Sequence, residues 1–88
     1  MHELSIAVAL VELASEEAQR LGAVRVNALF VRLGARAGVV ADALRFSFDL
    51  AAEGTVAHGA RLELEPVDGC DLQLRAMEVV DGDTAAHR

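Results

Sequence analysis

A β-strand is predicted for the segment Val24–Leu33, whose sequence VRVNALFVRL is rich in β-branched and apolar residues and stops at Gly34. Its second half alternates as a half-buried strand does, with Leu29 and Val31 on one face and their neighbours on the other. In its first half, the apolar residues Val24 and Val26 fall on the other set of alternate positions. Either both faces are covered there, or a β-bulge shifts the phase.

An amphipathic helix is predicted on each side of this strand. Before it, apolar residues recur at three- and four-residue spacing from Leu4 to Leu21, and Gly22 follows where a helix end favours a left-handed residue. After a loop at residues 34–38, a second apolar stripe runs from Val40 to Ala51 and includes Phe48. Asp42 lies in the first turn of this second helix, where the helix dipole favours an anion.

Two further strands are predicted near the C-terminus. Arg61–Glu65 alternates strictly, and Pro66 marks a sheet edge or the end of that strand. Leu72–Val80 is the returning strand, and a slip of parity between residues 74 and 77 indicates a second bulge. Asp68-Gly69 is a strong turn dipeptide, so the last two strands are expected to form an antiparallel hairpin.

The order helix, strand, helix, strand, strand predicts an α+β fold with two helices packed on one face of a small three-stranded mixed sheet. Residues 1–80 are expected to form this single domain, and residues 81–88 a polar flexible tail. If the first two strands are parallel, the unit that joins them should be right-handed.

The composition excludes several classes of protein. The net charge is −6, with fourteen acidic residues against eight arginines and no lysine, so nucleic-acid binding is disfavoured. No apolar run is long enough for a membrane span, and no signal peptide is evident, so a cytoplasmic location is expected. Cys70 is the only cysteine and can form neither an internal disulfide nor a CxxC zinc pair.

The first residues, Met1-His2-Glu3, form a candidate metal site. The Met1 amine, the His2 ring and the His2 backbone nitrogen can chelate one cation, and such nitrogen-rich sets suit Ni(II) or Cu(II). Glu3 can add a carboxylate oxygen or orient His2. Methionine is normally trimmed only before a small residue, so the Met1 amine is expected to survive. Because the ligands must lose protons, binding should strengthen as the pH rises.

Together with later landmarks, these residues resemble the hydrogenase and urease nickel-incorporation proteins, the HypA family. The segments that carry the resemblance are Met1–Ala7, Val31–Gly34, Leu44–Phe48, Gly59–Glu65 and Met77–Val79. The resemblance implies a nickel metallochaperone that works with a nickel-handling GTPase. Such a protein delivers nickel to the large subunit of a [NiFe]-hydrogenase and, in some organisms, supplies urease. It also implies that Met1, His2 and Glu3 hold the nickel.

The chain departs from the family between its last two strands. Members carry there a zinc domain with two CxxC pairs, whereas this sequence has only Val67–Asp71, with Cys70 either a relic of that domain or a small turn residue. No structural zinc is therefore expected, and the chain is interpreted as a metallochaperone reduced to its nickel-binding domain. Any docking done by the zinc domain must be absent or performed differently.

Other residues have weaker claims to function. His58 and His87 are interpreted as exposed histidines, with a second metal ligand as the alternative for His58. The acidic residues of the first helix, Glu12, Glu16 and Glu17, form a solvated face or meet a basic partner. Phe46 is favoured as a core residue, with a partner surface as the alternative.

No catalytic constellation is present in the sequence, so the protein is not expected to be an enzyme. Two other functions remain open. One is an interaction module without metal that binds a hydrogenase large subunit or sits as a small subunit in an assembly. The other is a homodimer formed through exposed sheet edges.

Overall fold

The computed structural model describes residues 2–82 of the 88-residue chain. Its elements are α1 (His2–Leu21), β1 (Ala23–Gly34), α2 (Ala41–Ala52), β2 (Arg61–Val67) and β3 (Leu72–Asp81). Their order confirms the predicted α+β fold, and β3 extends one residue into the predicted tail. Neither helix in this part of the chain is long and apolar enough to cross a membrane.

The three strands form one mixed sheet in the order β2-β1-β3, with β1 parallel to β2 and antiparallel to β3. The predicted hairpin between β2 and β3 is therefore wrong, because β1 lies between them. β1 is the most apolar strand, and the centre of the sheet lets it pair along both edges. Pro66 lies in the edge strand β2, as one of the two predicted alternatives requires.

The connection from β2 to β3 crosses the end of β1 instead of closing a hairpin. Gly34 donates its N–H to the carbonyl of Asp71 at 2.8 Å, and Ala35 and Arg36 donate to the carbonyls of Val67 and Gly69, each also at 2.8 Å. The Asp68-Gly69 turn therefore lies in the segment that crosses the end of β1.

The bulge predicted in β3 is present, and of the two alternatives given for β1 the bulge is the one observed. The pairing of β1 with β3 shifts between Ala23 and Arg25 and again between Val26 and Ala28, which leaves one extra residue in β1 each time. A third shift leaves Arg75 as the extra residue in β3. The β1 bulges explain the change of parity, and they bury Val26 completely in the same core cluster as Leu29.

The core lies between the sheet and the two helices. α1 contributes three alanines and two larger residues, and α2 contributes Leu44, Phe48 and Ala52. Phe48 is the largest fully buried side chain, as predicted, but Phe46 is 67% exposed, so its predicted core position is wrong. Phe46 and Phe48 are two positions apart, and a helix turns by about 100° per residue, so their side chains point to nearly opposite sides of α2.

The other face of the sheet carries charged side chains. Ala28 of β1 is in register with Arg61 on one side and with Glu78 on the other. Because the alanine side chain is short, Arg61 reaches over it and donates to Glu78 at 3.3 Å, while also donating to Glu63 at 3.1 Å. This face is therefore polar where it is not occupied by Phe30.

Candidate metal centre

α1 begins at His2, so the metal-ligand candidates lie in the first turn of a long helix. The first four N–H groups of a helix have no carbonyl partner within it. The His2 side chain is exposed and makes no hydrogen bond or ion pair with residues 2–82. Its imidazole is therefore free to bind a metal, whereas Met1 lies outside the described residues, so the role of its amine stays a prediction.

The position of the site at a helix start affects its charge preference. The N-terminal end of a helix carries partial positive charge, which disfavours a bound cation and favours an anion. An ionised backbone nitrogen and a nearby carboxylate both supply negative charge there. The Glu3 carboxylate is in the same turn and offsets the helix dipole.

Glu3 anchors this turn to the second helix. Val40 donates its N–H to the Oε2 atom of Glu3 at 3.1 Å, across 37 positions of sequence. Val40 is the N-cap residue of α2, and its own side chain makes no cap. Glu3 therefore plays from α1 the part of the Glu or Gln of a capping box, whose side chain accepts from the N–H of the N-cap residue.

This anchor also affects the ionisation of Glu3. The hydrogen bond from Val40 lowers the pKa of the Glu3 carboxyl below its ordinary value of 4.5, with further lowering from the Glu3 N–H and the neighbouring His2. The group is therefore an ionised acceptor at neutral pH. The Oε2 atom is the oxygen that accepts from Val40.

The anchoring residue Val40 was missed by the sequence interpretation. A valine at an N-cap is unfavourable, because its side chain cannot accept from the N–H groups of the first turn. The sequence offers no local clue that Glu3 is the acceptor, because the contact depends on how α1 packs on α2.

The structure separates the other candidates from His2. His58 follows the far end of α2, near the carbonyl of Val56 that accepts from Val26, whereas Glu3 contacts the start of α2. A helix of 12 residues is about 18 Å long. Cys70 is exposed in the crossing connection, and His87 lies outside the described residues. Within residues 2–82, no three His, Cys, Asp or Glu side chains cluster as a metal site.

The acidic residues of α1 lie on its solvent-exposed face. Glu12 and Glu16 are exposed and have no partner among residues 2–82. Glu17 forms an ion pair with Arg20 one turn later, and both side chains are largely accessible to solvent. This arrangement agrees with the predicted solvated face.

The fold defines a class of small α+β proteins with two helices on a three-stranded mixed sheet, and this chain carries an exposed histidine at the first turn of α1. The model of the family described as "Hydrogenase/urease nickel incorporation, metallochaperone, hypA" matches residues 1–78. The chain belongs to the HypA family.

Curated relatives agree with this assignment. The chain is 57% identical over 67 residues to the hydrogenase maturation factor HypA of Roseiflexus sp. (strain RS-1), covering 76% of this chain and 54% of the relative. The HypA of Chloroflexus aurantiacus (strain J-10-fl) is 58% identical over 67 residues, covering 76% and 59%. The chain thus spans little more than half the length of these curated relatives.

The solution structure of the Ni metallochaperone HypA from Helicobacter pylori has the same fold. Its TM-score is 0.79 over 90% of this chain and 97% of the other, at 14% sequence identity. At this low identity the likeness establishes the fold alone.

Proposed function

We propose that this protein binds Ni(II) through His2, with the Met1 amine and the His2 backbone nitrogen, and hands the metal to a hydrogenase under maturation. The observation that carries the proposal is the exposed and unpartnered His2 at the first turn of α1, beside an anchored Glu3. The receiving protein would be the large subunit of a [NiFe]-hydrogenase, with a nickel-handling GTPase as co-partner. Urease is the alternative client.

The openness of the site suits a carrier better than a catalyst or a store. A ligand set at an exposed helix start leaves coordination positions open to water or to an acceptor protein, so the metal can exchange without unfolding the domain. Isothermal titration of Ni(II) into the untagged chain, with Met1 as its first residue, tests the proposal. One equivalent should bind, and absence of binding overturns the proposed function.

This function would operate without structural zinc. The chain has one cysteine, and the connection between β2 and β3 contains only residues 68–71. A structural zinc site normally has four protein ligands, rich in cysteine and histidine. The nickel-binding domain would therefore have to recognise its partners by its own surface.

Glu3 is expected to hold His2 in place without coordinating through its engaged oxygen. Replacing Glu3 with alanine removes the acceptor for Val40 and is expected to weaken Ni(II) binding by about 10-fold or more, as loss of an orienting group usually does. Replacing Glu3 with glutamine retains a carbonyl oxygen at the same distance, and the affinity should change little. Nickel titrations of both variants measure the difference.

The backbone amide of Val40 provides an independent readout for the same pair of variants. Its NMR resonance should move in Glu3→Ala and stay close to the wild-type position in Glu3→Gln, because only the alanine variant loses the hydrogen bond. Equal losses of affinity in both variants, with the Val40 amide unchanged in Glu3→Gln, would contradict the anchoring role and indicate direct ligation by the carboxylate.

A second candidate function is supported by the outer surface of α2. Phe46 and Leu50 are 67% and 51% exposed and lie one turn apart, away from the core residues of that helix. Phenylalanine is among the aromatic residues that are enriched in the buried core of protein interfaces. This observation favours an interaction module that binds a hydrogenase large subunit, with or without nickel.

Replacing Phe46 with serine is expected to leave the free energy of unfolding within about 0.5 kcal/mol of wild type, because the ring is mostly in solvent. Its affinity for a nickel-free hydrogenase large subunit should fall by about 30-fold if the ring is a central contact. Surface plasmon resonance measures this, with Val24→Ser as the control at a residue that is 54% exposed on β1. Equal affinities in the two variants would show that the α2 surface does not bind the hydrogenase large subunit.

A further inference from the structure

An open groove runs between α1 and the outer edge of β3. Its volume is about 510 Å³, and its apolar lining includes Leu13 and Leu21 of α1 and Leu72, Leu74 and Met77 of β3. Leu13 and Leu21 are each 50% exposed. We call this feature the β3 edge groove. It combines an unpaired strand edge with apolar surface, which is the combination that a further β-strand covers.

The two edges of the sheet differ in their ability to accept a strand. β2 has seven residues and carries Pro66, and a short strand and a proline both discourage pairing at an edge. Each of the two edge strands presents three exposed charged side chains, so length and proline, and not charge, distinguish them. β3 has ten residues and no proline. Within residues 2–82, no strand pairs with its outer edge. The β3 edge is therefore the one that remains open to association.

We infer that the β3 edge groove is occupied in solution by the β3 strand of a second copy of this chain, paired antiparallel across a two-fold axis at Met77. Such pairing would join two three-stranded sheets into one of six strands, with the helices of both copies on the same face. This inference is independent of nickel binding.

The apolar side chains of β3 match in this register. Leu72, Leu74, Met77 and Val79 pack towards the helices, since each is partly buried against the core. With Met77 at the axis, Leu74 of each copy lies opposite Val79 of the other. The half-exposed Leu13 and Leu21 of the two α1 helices then border one continuous apolar layer.

The charges select the same register. The bulge makes Arg75 and Ala76 together take one position of the ladder, and Arg75 borders both the β3 edge groove and the face that carries Phe30 and Glu63. With Met77 at the axis, this position lies opposite Glu78 of the second copy. The two-fold axis therefore creates two Arg75–Glu78 pairs, one on each side of Met77. A parallel arrangement would instead place like charges together. Opposite charges across strands stabilise pairing, and like charges weaken it.

Analytical ultracentrifugation of the full chain over a wide concentration range tests this inference. The wild-type chain should show a monomer–dimer equilibrium. Arg75→Glu should weaken the dimer by about 10-fold, because two attractive pairs become repulsive. Glu78→Arg should weaken it similarly, and the double variant should restore it. Within the chain, Arg61 keeps Glu63 as a partner when Glu78 is changed.

Two further variants complete the test. Leu13→Glu places a charge in the groove at a half-exposed site and should abolish the dimer while the circular dichroism spectrum stays unchanged. Arg36→Glu makes the same charge change as Arg75→Glu, in the loop beyond β1, and should leave the dimer intact. A monomer at every concentration overturns the inference, as does a dimer that is insensitive to both Arg75→Glu and Leu13→Glu. His2→Ala should dimerise normally, which separates this outcome from that of the nickel site.

Discussion

Replacing His2 with alanine is expected to lower the affinity for Ni(II) by at least about 100-fold, while the thermal unfolding temperature stays at the wild-type value. Loss of an orienting group alone usually costs 10- to 100-fold, and this change removes a direct ligand. The stability should not change, because the imidazole is exposed and has no partner among the described residues.

Isothermal titration calorimetry on the untagged chain measures this effect, and His58→Ala is the matched control. The His58 side chain is also exposed and makes no hydrogen bond with residues 2–82, and His58 follows the far end of α2. Its removal should leave the nickel isotherm unchanged. If His2→Ala binds nickel as tightly as the wild-type chain, the N-terminal site is wrong, and the surface around Phe46 becomes the better guide to function.

The parts of the fold that were predicted correctly depend on local periodicity. The apolar stripes placed both helices, and Phe48 of α2 is buried as its stripe requires. The parity changes revealed the bulges near Val26 and at Arg75, because a side chain that must face the core cannot change its strand face without an extra residue.

The errors arose where local signals compete with tertiary arrangement. Asp68-Gly69 is a hairpin signal, yet β1 takes the place beside β3 that a hairpin would give to β2. Phe46 is apolar and close to the stripe of α2, but the core has room on only one side of that helix. Neither outcome follows from a window of a few residues, because each depends on which elements meet.

The same distinction applies to the candidate site. The ligand motif was predicted from His2 and its neighbours, because chelation by adjacent residues is a local property, and it stays a prediction. The contact of Glu3 with Val40 is a product of helix packing and was not predicted. The structure therefore adds to the motif a fixed point, at which the first turn of α1 is held against the start of α2.

Gly34 is the residue at which the unexpected topology leaves no room for a side chain. A methyl group added at Gly34 would lie 2.5 Å from the carbonyl oxygen of Gly69 and 2.9 Å from that of Asp71. Both atoms belong to the backbone of the crossing connection, so no side-chain rotation can relieve the contact. Only glycine lets the connection pass this closely over the end of β1.

Gly34→Ala is therefore expected to destabilise the folded chain by about 3 kcal/mol, at the upper end of the usual cost of overpacking. Urea denaturation measures the loss. Hydrogen exchange should show reduced protection of the Gly34-site, Ala35 and Arg36 amides, which donate to the connection. Gly38→Ala is the control: nothing lies within 4 Å of its added methyl, and its positive φ of 75° should cost only about 1–2 kcal/mol while those three amides stay protected. Full stability of Gly34→Ala would mean that the connection does not cross β1 as described.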